Sequence, residues 1–425
     1  MENRYDKYKD SGIAWIGEIP EHWEKICLKR LSNINTGNQD TQDSVPDGKY
    51  PFFVRSPKVE RSNKYTFEGA SILMAGDGVG AGKVFHLADD KFACHQRVYC
   101  INQFKNINRI YLFYYLSSLF YHVIESANSK STVDSVRLPM LAEFTVFMPL
   151  DFEQQSIAIY LDQKCGEIDE LITLQEEMIT KLQSYKQSVI TEAVTKGLDK
   201  NVPLKDSGIE WIGEIPKHWE VKRLKNSGYI YGGLTGKAGN DFNVEEGDNY
   251  EYFIPFTNIF NNMCVDMNLL GKVKVSPNEK QNNVIKNDIL FLMSSEDYDG
   301  IGKSSLCKEN YPQPLYLNSF CKGLRVGNTF NSIFLNYFMN SAVGKYFCQI
   351  ASNGFIRINL RQDKLLACPI LCPSLSEQQS IADYLDQKCS EIDELISIKQ
   401  QKIEKLKDYK KSLIFECVTG KRKVS

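Results

Sequence analysis

Two long, polar stretches of the chain carry apolar residues at helical spacing. Residues 153–195 place a narrow apolar stripe at intervals of three and four positions, and residues 377–420 repeat it. No proline interrupts either stretch, and Gly197 and Gly420 follow as helix stops. The pattern predicts two helices, the first roughly 65 Å long, that pair as an antiparallel intramolecular coiled coil. The alternative is that each helix packs only on its own domain.

Two segments of the chain are each present twice. The helix motif, Glu153–Ile172 and Glu377–Ile396, is identical at eighteen of twenty positions. The tryptophan motif, Asp10–Glu24 and Asp206–Glu220, is identical at thirteen of fifteen positions and contains all four tryptophans of the chain. Its prolines exclude a continuous helix, so it is predicted to form a fixed turn with aromatic anchors.

The segments between the motifs differ from each other, although both mix predicted strands with an apolar helix. Predicted strands are Ser71–Ala75, Lys83–Leu87, Gln96–Ile101, Asp288–Met293 and Gly323–Val326, and predicted helices are Ile110–Ile124 and Ile333–Ile350. The order Ile72, Leu73, Gly82, Lys83 recurs as Ile289, Leu290, Gly302, Lys303. Two α/β domains of one ancestry are therefore expected, with diverged loops.

The composition fits a reduced, non-membrane protein with two cores. Hydrophobic residues make up 42% of the 425 positions, and the longest apolar runs are too short to span a membrane. The twelve cysteines form no CxxC pair, which favours a cytoplasmic location and argues against a metal site. Segments 25–150 and 221–374 carry net charges of +4 and +3, whereas the remainder carries −9. The unlike segments therefore favour a polyanion partner.

Sequence signatures of catalysis are missing. Segment 76–83, GDGVGAGK, fails the phosphate-loop pattern because position 77 is Asp and position 84 is Val. No GxSxG, HExxH or Asn-Pro-Pro-aromatic sequence occurs. His22 and His218 lie beside tryptophans in a repeated motif, so a packing role is favoured over catalysis. The chain is predicted to be non-catalytic, and Lys83 and Lys303 are predicted to face phosphates of nucleic acid.

With its two motifs in duplicate around two unlike segments, the whole chain resembles the specificity subunits of type I restriction-modification systems. The resemblance implies a non-catalytic subunit that recognises a bipartite, asymmetric site in double-stranded DNA. It implies two modification (methyltransferase) subunits and restriction subunits as partners, with S-adenosylmethionine, ATP and Mg on those partners and no cofactor on this chain. The alternatives are a fused methyltransferase-endonuclease, which the missing motifs disfavour, and a purely structural coiled-coil adaptor.

The resemblance and the repeats together predict six parts and an α/β (α+β) fold with an internal pseudo-two-fold repeat. The parts are the first tryptophan motif at 1–24, target recognition domain 1 at 25–152, the central helix at 153–197, the second tryptophan motif at 198–220, target recognition domain 2 at 221–376 and the C-terminal helix at 377–425. Successive like faces of the major groove recur about every 34 Å, so helix length is expected to set the gap between half-sites.

The predicted DNA contacts are arginine, lysine, asparagine, glutamine and serine side chains, types that contact base edges, on predicted loops or just before the chain returns to the long helices. They are Arg55, Lys83, Gln96, Arg97, Lys130, Ser131 and Arg137 in the first domain, and Asn258, Ser294, Ser295, Lys303, Asn353, Arg357 and Arg361 in the second. For each one the alternative is a solvated surface position or a side chain that caps the backbone. Trp15, Trp23, Trp211 and Trp219 are predicted to form docking surfaces for another subunit.

Overall fold

A computed structural model describes residues 4–127, 135–245, 249–276 and 278–424. The chain forms two compact units, Met1–Glu176 with Lys399–Ser425, and Glu177–Ile398. Each unit contains one α/β domain, one tryptophan motif and parts of both long helices. Lys130 and Ser131, two of the predicted DNA contacts, lie outside the described residues.

The α/β domain of the first unit is built on two four-stranded sheets. One antiparallel sheet has the order Asn33–Thr36, Val98–Asn102, Ser71–Ala75, Phe85–Ala88. The other, with a parallel central pair, has the order Glu60–Ser62, Tyr50–Phe53, Lys91–Cys94, Phe67–Glu68. A two-stranded sheet of Glu24–Cys27 and Thr145–Met148 closes the domain, whose helices are Leu28–Leu31, Thr41–Asp43 (3₁₀), Arg109–Ala127 and Leu138–Ala142.

The domain of the second unit repeats this topology. Its antiparallel sheet has the order Gly228–Gly232, Cys321–Val326, Asp288–Leu292, Ser304–Leu306, and its other sheet has the order Gly271–Val273, Glu251–Ile254, Leu315–Leu317. Glu220–Arg223 pairs with Pro369–Cys372, and Ser294–Ser295 pairs with Ile358–Asn359. The helices are Leu224–Asn226 (3₁₀), Gly239–Phe242, Phe256–Asn261, Ser332–Asn340, Ala342–Ala351 and Gln362–Leu366. The common strand order confirms the expected shared fold.

One predicted helix of the second domain is wrong. Residues 333–350 form two helices instead of one, because the chain leaves helical geometry at Ser341, where ψ is 165°. The Ser341 hydroxyl accepts a hydrogen bond from Gly344 N and so caps the second helix. The break lies beside the first long helix, where Gln187 donates to the carbonyl of Asn340.

The two long helices are continuous and close to their predicted bounds. The first helix spans Asp151–Lys196 and the second Leu375–Val418. Gly197 and Gly420, at φ of 75° and 71°, end them in the left-handed conformation that glycine adopts at low cost. Leu375–Val418 begins two residues before the predicted start, because Ser374 accepts a hydrogen bond from Glu377 N and caps it.

Within each unit the long helices run antiparallel, as predicted. In the first unit Lys410 pairs with Asp169 at 2.6 Å, and Lys399 donates to Gln175, so the numbers rise along one helix as they fall along the other. In the second unit Lys186 pairs with Asp393 at 2.6 Å. Each ion pair is the counterpart of the other in the repeat, 224 positions away.

Each tryptophan motif folds as an antiparallel hairpin, Tyr8–Asp10 with Glu18–Pro20 and Leu204–Asp206 with Glu214–Pro216. The histidine that follows attaches the motif to the first turn of a long helix in the same unit. His22 Nε2 lies 2.8 Å from Glu153 Oε2, and His218 Nε2 lies 2.9 Å from Glu377 Oε2. The histidines therefore connect motif to helix, which agrees with the packing role predicted for them.

Candidate nucleic-acid interface

An equivalent corner of the main sheet is present in both α/β domains. In the first domain the strand Ser71–Ala75 ends two residues before Asp77, whose backbone forms an antiparallel bridge with Ser135. In the second domain Asp288–Leu292 ends two residues before Ser294, whose backbone pairs with Asn359. The segment that returns from the apolar helices therefore meets the equivalent sheet corner in both domains, and several of the predicted DNA contacts lie there.

At the corner of the first domain two predicted arginines share one carboxylate. Arg55 Nη1 lies 3.1 Å from Asp77 Oδ1, and Arg97 Nε lies 3.7 Å from Asp77 Oδ2. Both side chains stay exposed, and Arg55 lines a cleft of about 360 Å³ with Gly78 and Val79. This pair of planar donors is suited to acceptor groups on base edges or phosphates.

The other predicted contacts of the first domain that the structure describes, Lys83, Gln96 and Arg137, are also on its surface. Gln96 donates to Asp40 Oδ2 at 3.0 Å. Hydrogen bonds from the backbone and side chain of Thr41 hold the pKa of the Asp40 carboxyl below its usual value. Lys83 Nζ lies 4.2 Å from the centre of the Tyr121 ring. Arg137 is exposed and follows Val136, whose N–H donates a hydrogen bond to the Gly76 carbonyl.

At the corner of the second domain a single arginine occupies the equivalent place. Arg357 Nε donates to Ser294 Oγ at 2.7 Å, and its guanidinium lies 4.8 Å above the ring of Phe320. These two contacts fix the plane of the guanidinium while the residue remains exposed. Asn353 and Arg361 are exposed nearby in sequence, and Arg361 pairs with Asp363 at 3.0 Å.

Three residues predicted to contact bases are buried. Asn258 is 1% exposed, and its amide donates to the carbonyls of Asp266 and Leu269. Ser295 is buried and accepts from Asp297 N, while Ser294 is buried beneath Arg357. The structure contradicts a direct base contact for Asn258 and Ser295, because their polar groups are already used to shape loops. Ser294 instead positions Arg357.

Lys303 faces inward to a cleft of about 450 Å³ within the second unit. Its Nζ donates to the carbonyl of Phe260 and lies 3.8 Å from that ring. Lys345 lines the same cleft and donates to Gln187, and burial together with the nearby Lys303 charge lowers its pKa. Lys186 and Asp393, which pair with each other, also line this cleft. That Lys303 faces a phosphate stays a prediction.

The docking role predicted for the tryptophans is wrong for two of the four. Trp23 and Trp219 are completely buried, because each fills the core between its hairpin and the long helices of its unit. Trp219 Nε1 donates to Glu377 at 3.0 Å. Trp15 packs on His122 at 4.7 Å and Trp211 on Tyr346 at 5.9 Å, and both keep an exposed edge.

The sequence reasoning missed three exposed apolar side chains near these corners. Val79, Phe355 and Ile356 project from loops that also contain glycine. The signal was present as apolar residues inside glycine-containing loops, but such residues are usually buried. Among the described residues no three His, Cys, Asp or Glu side chains converge as a metal site, and no helix there is long and apolar enough to cross a membrane.

The duplicated scaffold and its two chemically different arginine corners define a protein with two separate binding domains of one fold. Comparison with known proteins gives the family. The model of the type I restriction modification DNA specificity domain matches residues 20–183 and 216–408. The chain belongs to this family, carries two copies of its domain and is a type I restriction-modification specificity subunit.

Relatives align over most of the chain at low identity. The type I restriction enzyme MjaVIII specificity subunit of Methanocaldococcus jannaschii is 24% identical over 96% of this chain and 94% of that protein. The putative MjaX specificity subunit of the same organism is 26% identical over 96% of each. The EcoDI specificity subunit of Escherichia coli is 28% identical, but the alignment covers 43% of this chain and only 40% of that protein.

Solved structures confirm the fold. A chain from a study of complex assembly and conformational transition of the type I R-M system matches with a TM-score of 0.69 at 15% identity, covering 95% of this chain and 99% of that one. The HsdS subunit of Thermoanaerobacter tengcongensis matches with a TM-score of 0.50 at 15% identity, covering 95% and 98%.

Proposed function

We propose that this chain is the non-catalytic component that selects the DNA sequence for a type I restriction-modification assembly. Each α/β domain recognises one half of a bipartite, asymmetric site in double-stranded DNA. The observation that carries the proposal is the repeated sheet corner with different chemistry. Arg55 and Arg97 share Asp77 in one domain, whereas Arg357 bonds Ser294 in the other. Equivalent corners with different donors are suited to two different half-sites.

The partners supply the chemistry. Two modification subunits bind S-adenosylmethionine and transfer the methyl group, and restriction subunits use ATP and Mg. The exposed edge of Trp211 lies in a groove of about 810 Å³ with Val221, Arg223 and Lys225. The apolar side chains of Trp211 and Val221 and the basic side chains of Arg223 and Lys225 are together suited to an acidic, apolar segment of a modification subunit.

The long helices provide the spacing in this proposal. A helix of 46 residues is about 69 Å long, which is about two turns of B-DNA. Neither helix contains proline, the residue most often found at a sharp kink. The length of the helices is therefore expected to fix how many unspecified base pairs separate the two half-sites.

Methylation mapping tests the proposal. The chain is incubated with its modification subunits, S-adenosylmethionine and genomic DNA, and methylated adenines are located by sequencing. The expected result is one two-part, asymmetric motif, with no methylation when this chain or the modification subunits are left out. Methylation without sequence preference, or methylation by this chain alone, would contradict the proposal.

A further inference from the structure

The most exposed large hydrophobic side chains of the described residues all lie at the two sheet corners. Phe355 is 100% exposed, Val79 93% and Ile356 89%, whereas the next, Phe152, is 67% exposed. Val79 follows Asp77 by two positions, and Phe355 and Ile356 immediately precede Arg357. Both corners therefore expose apolar groups, on the loop after the strand in the first domain and on the segment that returns from the helices in the second.

The loops hold these side chains out by their backbone geometry. In the second domain the N–H and carbonyl groups of Asn353 and Asn359 pair in both directions, so the intervening residues form a short tip. Gly354, at φ of 145°, has no room for a side chain, since a Cβ would lie 2.0 Å from the Arg357 carbonyl oxygen. In the first domain Gly78, at φ of 72°, precedes Val79, and Gly80 follows it at a position where a Cβ would lie 2.4 Å from the Arg55 carbonyl oxygen. The exposed apolar side chains of both domains therefore lie on turns whose backbone depends on glycine.

An arginine lies beside each tip, which favours nucleic acid over an apolar protein surface. Arg357 is fixed by Ser294 and Phe320 next to the Phe355 tip, and Arg55 lines the same cleft as Val79. In the major groove of DNA, the only apolar group on a base edge is the C5 methyl of thymine. A guanidinium beside an apolar tip is complementary to a polar base edge beside a thymine.

We propose that Phe355 and Ile356 in the second domain, and Val79 in the first, recognise thymine through its methyl group. The inference rests on the proposed function and adds to it a base identity in each half-site. It predicts a thymine on one strand of the half-site recognised by the second domain, close to the base contacted by Arg357. The first half-site is predicted to contain a thymine near the contacts of Arg55 and Arg97.

Replacement of thymine by deoxyuridine tests this without altering the protein, because it removes only the methyl group. The full chain with its modification subunits selects its motif from a pool of random duplexes, and each thymine of the motif is then replaced singly. For the wild type, one replacement in each half-site is expected to weaken binding about 4-fold, the ratio for burial of one methyl group.

Paired variants assign each effect to its loop. The double variant Phe355→Ser/Ile356→Ser is expected to lose the deoxyuridine response in the second half-site only, and Val79→Ser in the first half-site only, so each is the control for the other. Because Val79, Phe355 and Ile356 are exposed, these substitutions leave the core intact. Bases next to the tip are replaced by 2-aminopurine, whose fluorescence is expected to stay low because the stack is not opened.

The failures of the two proposals are distinct. Selection of no two-part motif by the wild type overturns the proposed function and this inference with it. A two-part motif that lacks thymine in the second half-site, or that ignores every deoxyuridine replacement, overturns only the thymine inference. So does a rise in 2-aminopurine fluorescence, which would assign the tip as a wedge between bases. Loss of modification-subunit association by the double variant, with DNA affinity unchanged, would assign it to a protein partner.

Discussion

At the scale of single residues, hydrogen bonding determines which polar side chains remain available to a ligand. Asn258 and Asn353 are both asparagines of irregular or short segments. Asn258 has its amide bonded to two backbone carbonyls inside the second domain, whereas Asn353 is exposed. Only the exposed residue can contact DNA without a cost in folding free energy.

Replacement of Arg357 by alanine is expected to weaken binding to the cognate site by roughly 1–3 kcal/mol and to relax specificity at one position of the second half-site. The reason is loss of a guanidinium whose plane is set by Ser294 and Phe320. Equilibrium binding to single-base variants of the site measures both effects. Arg361→Ala is the matched control for loss of one arginine, since its guanidinium is already paired with Asp363 and a smaller loss of affinity is expected. Unchanged affinity and preference in Arg357→Ala would remove it from the interface.

Asn258→Ala is expected to lower the free energy of unfolding by about 1–3 kcal/mol and to leave sequence preference unchanged. It removes the donor for the carbonyls of Asp266 and Leu269 and the acceptor for Asp266 N. Denaturant unfolding and motif selection measure the two properties. Asn353→Ala is the control for an exposed asparagine. A changed motif with unchanged stability would restore Asn258 as a base contact.

Sequence alone could not separate these two asparagines. Burial depends on which distant segments cover a residue, and Asn258 is covered by the loop at 266–269. The same limit applied to the tryptophans, because Trp23 and Trp15 stand in one motif yet differ in burial. Arg55, Arg97 and Arg357, in contrast, were predictable as surface groups, because an arginine is seldom fully buried.

At the scale of elements, each long helix is fixed at its start by a glutamate that also holds the preceding hairpin. The Glu377 carboxylate lies within hydrogen-bond distance of His218 Nε2. It also accepts a hydrogen bond from the buried indole N–H of Trp219. Glu153 bonds His22 and accepts from Leu150 N. The two copies of one motif therefore use their glutamates differently.

Glu377→Ala is expected to lower the free energy of unfolding of the second unit by about 1–3 kcal/mol, because the indole N–H of Trp219 would be left buried without a partner. Glu377→Gln is the control, since an amide oxygen can still accept that hydrogen bond. Thermal unfolding of both variants measures the difference. Equal destabilisation by the two changes would show that charge, and not the indole hydrogen bond, is the cause.

Helices were predicted well where periodicity was long. The apolar stripe predicted the start of both long helices to within two residues, because each turn contributes to the same pattern. The second helix ends at Val418, short of the 377–425 assigned to it but close to the predicted stop at Gly420. Residues 333–350 were predicted as a single helix, since the sequence around Ser341 does not mark that residue as a break. Its role as a cap depends on tertiary contacts of Asn340 and Ala342 with Gln187 and Thr191.

At the scale of the whole molecule, the duplicated motifs and long helices are matched in length, whereas the two α/β domains between them are not. The tryptophan motifs are 196 positions apart and the helix motifs 224 positions apart, so the second insert is 28 residues longer. The long helices, at 46 and 44 residues, are nearly equal. Length variation is thus confined to a domain proposed to recognise bases, while the elements proposed to set spacing are matched.

Insertion of one heptad into both long helices, after Glu176 and after Ile398, is expected to lengthen each by about 10.5 Å. At about 3.4 Å per base pair, the motif should gain about three unspecified base pairs with both half-sites unchanged. Methylation mapping of the variant complex measures the gap. Insertion into one helix alone, which breaks the register of the pair, is the control and is expected to destabilise the protein. Methylation of the original motif by the double insertion would contradict the spacing role.

The interrupted first unit has a consequence for the order of synthesis. Its residues come from both ends of the chain, whereas the second unit, Glu177–Ile398, is one uninterrupted segment. On the ribosome, the segment encoded first must therefore wait for the last residues before its helix pair can close. At about 5–20 residues per second the wait is roughly 10–45 s. During that interval the apolar residues Ile157, Leu161 and Ile168 lack their partner Leu413, and nascent chains are most exposed to misassembly.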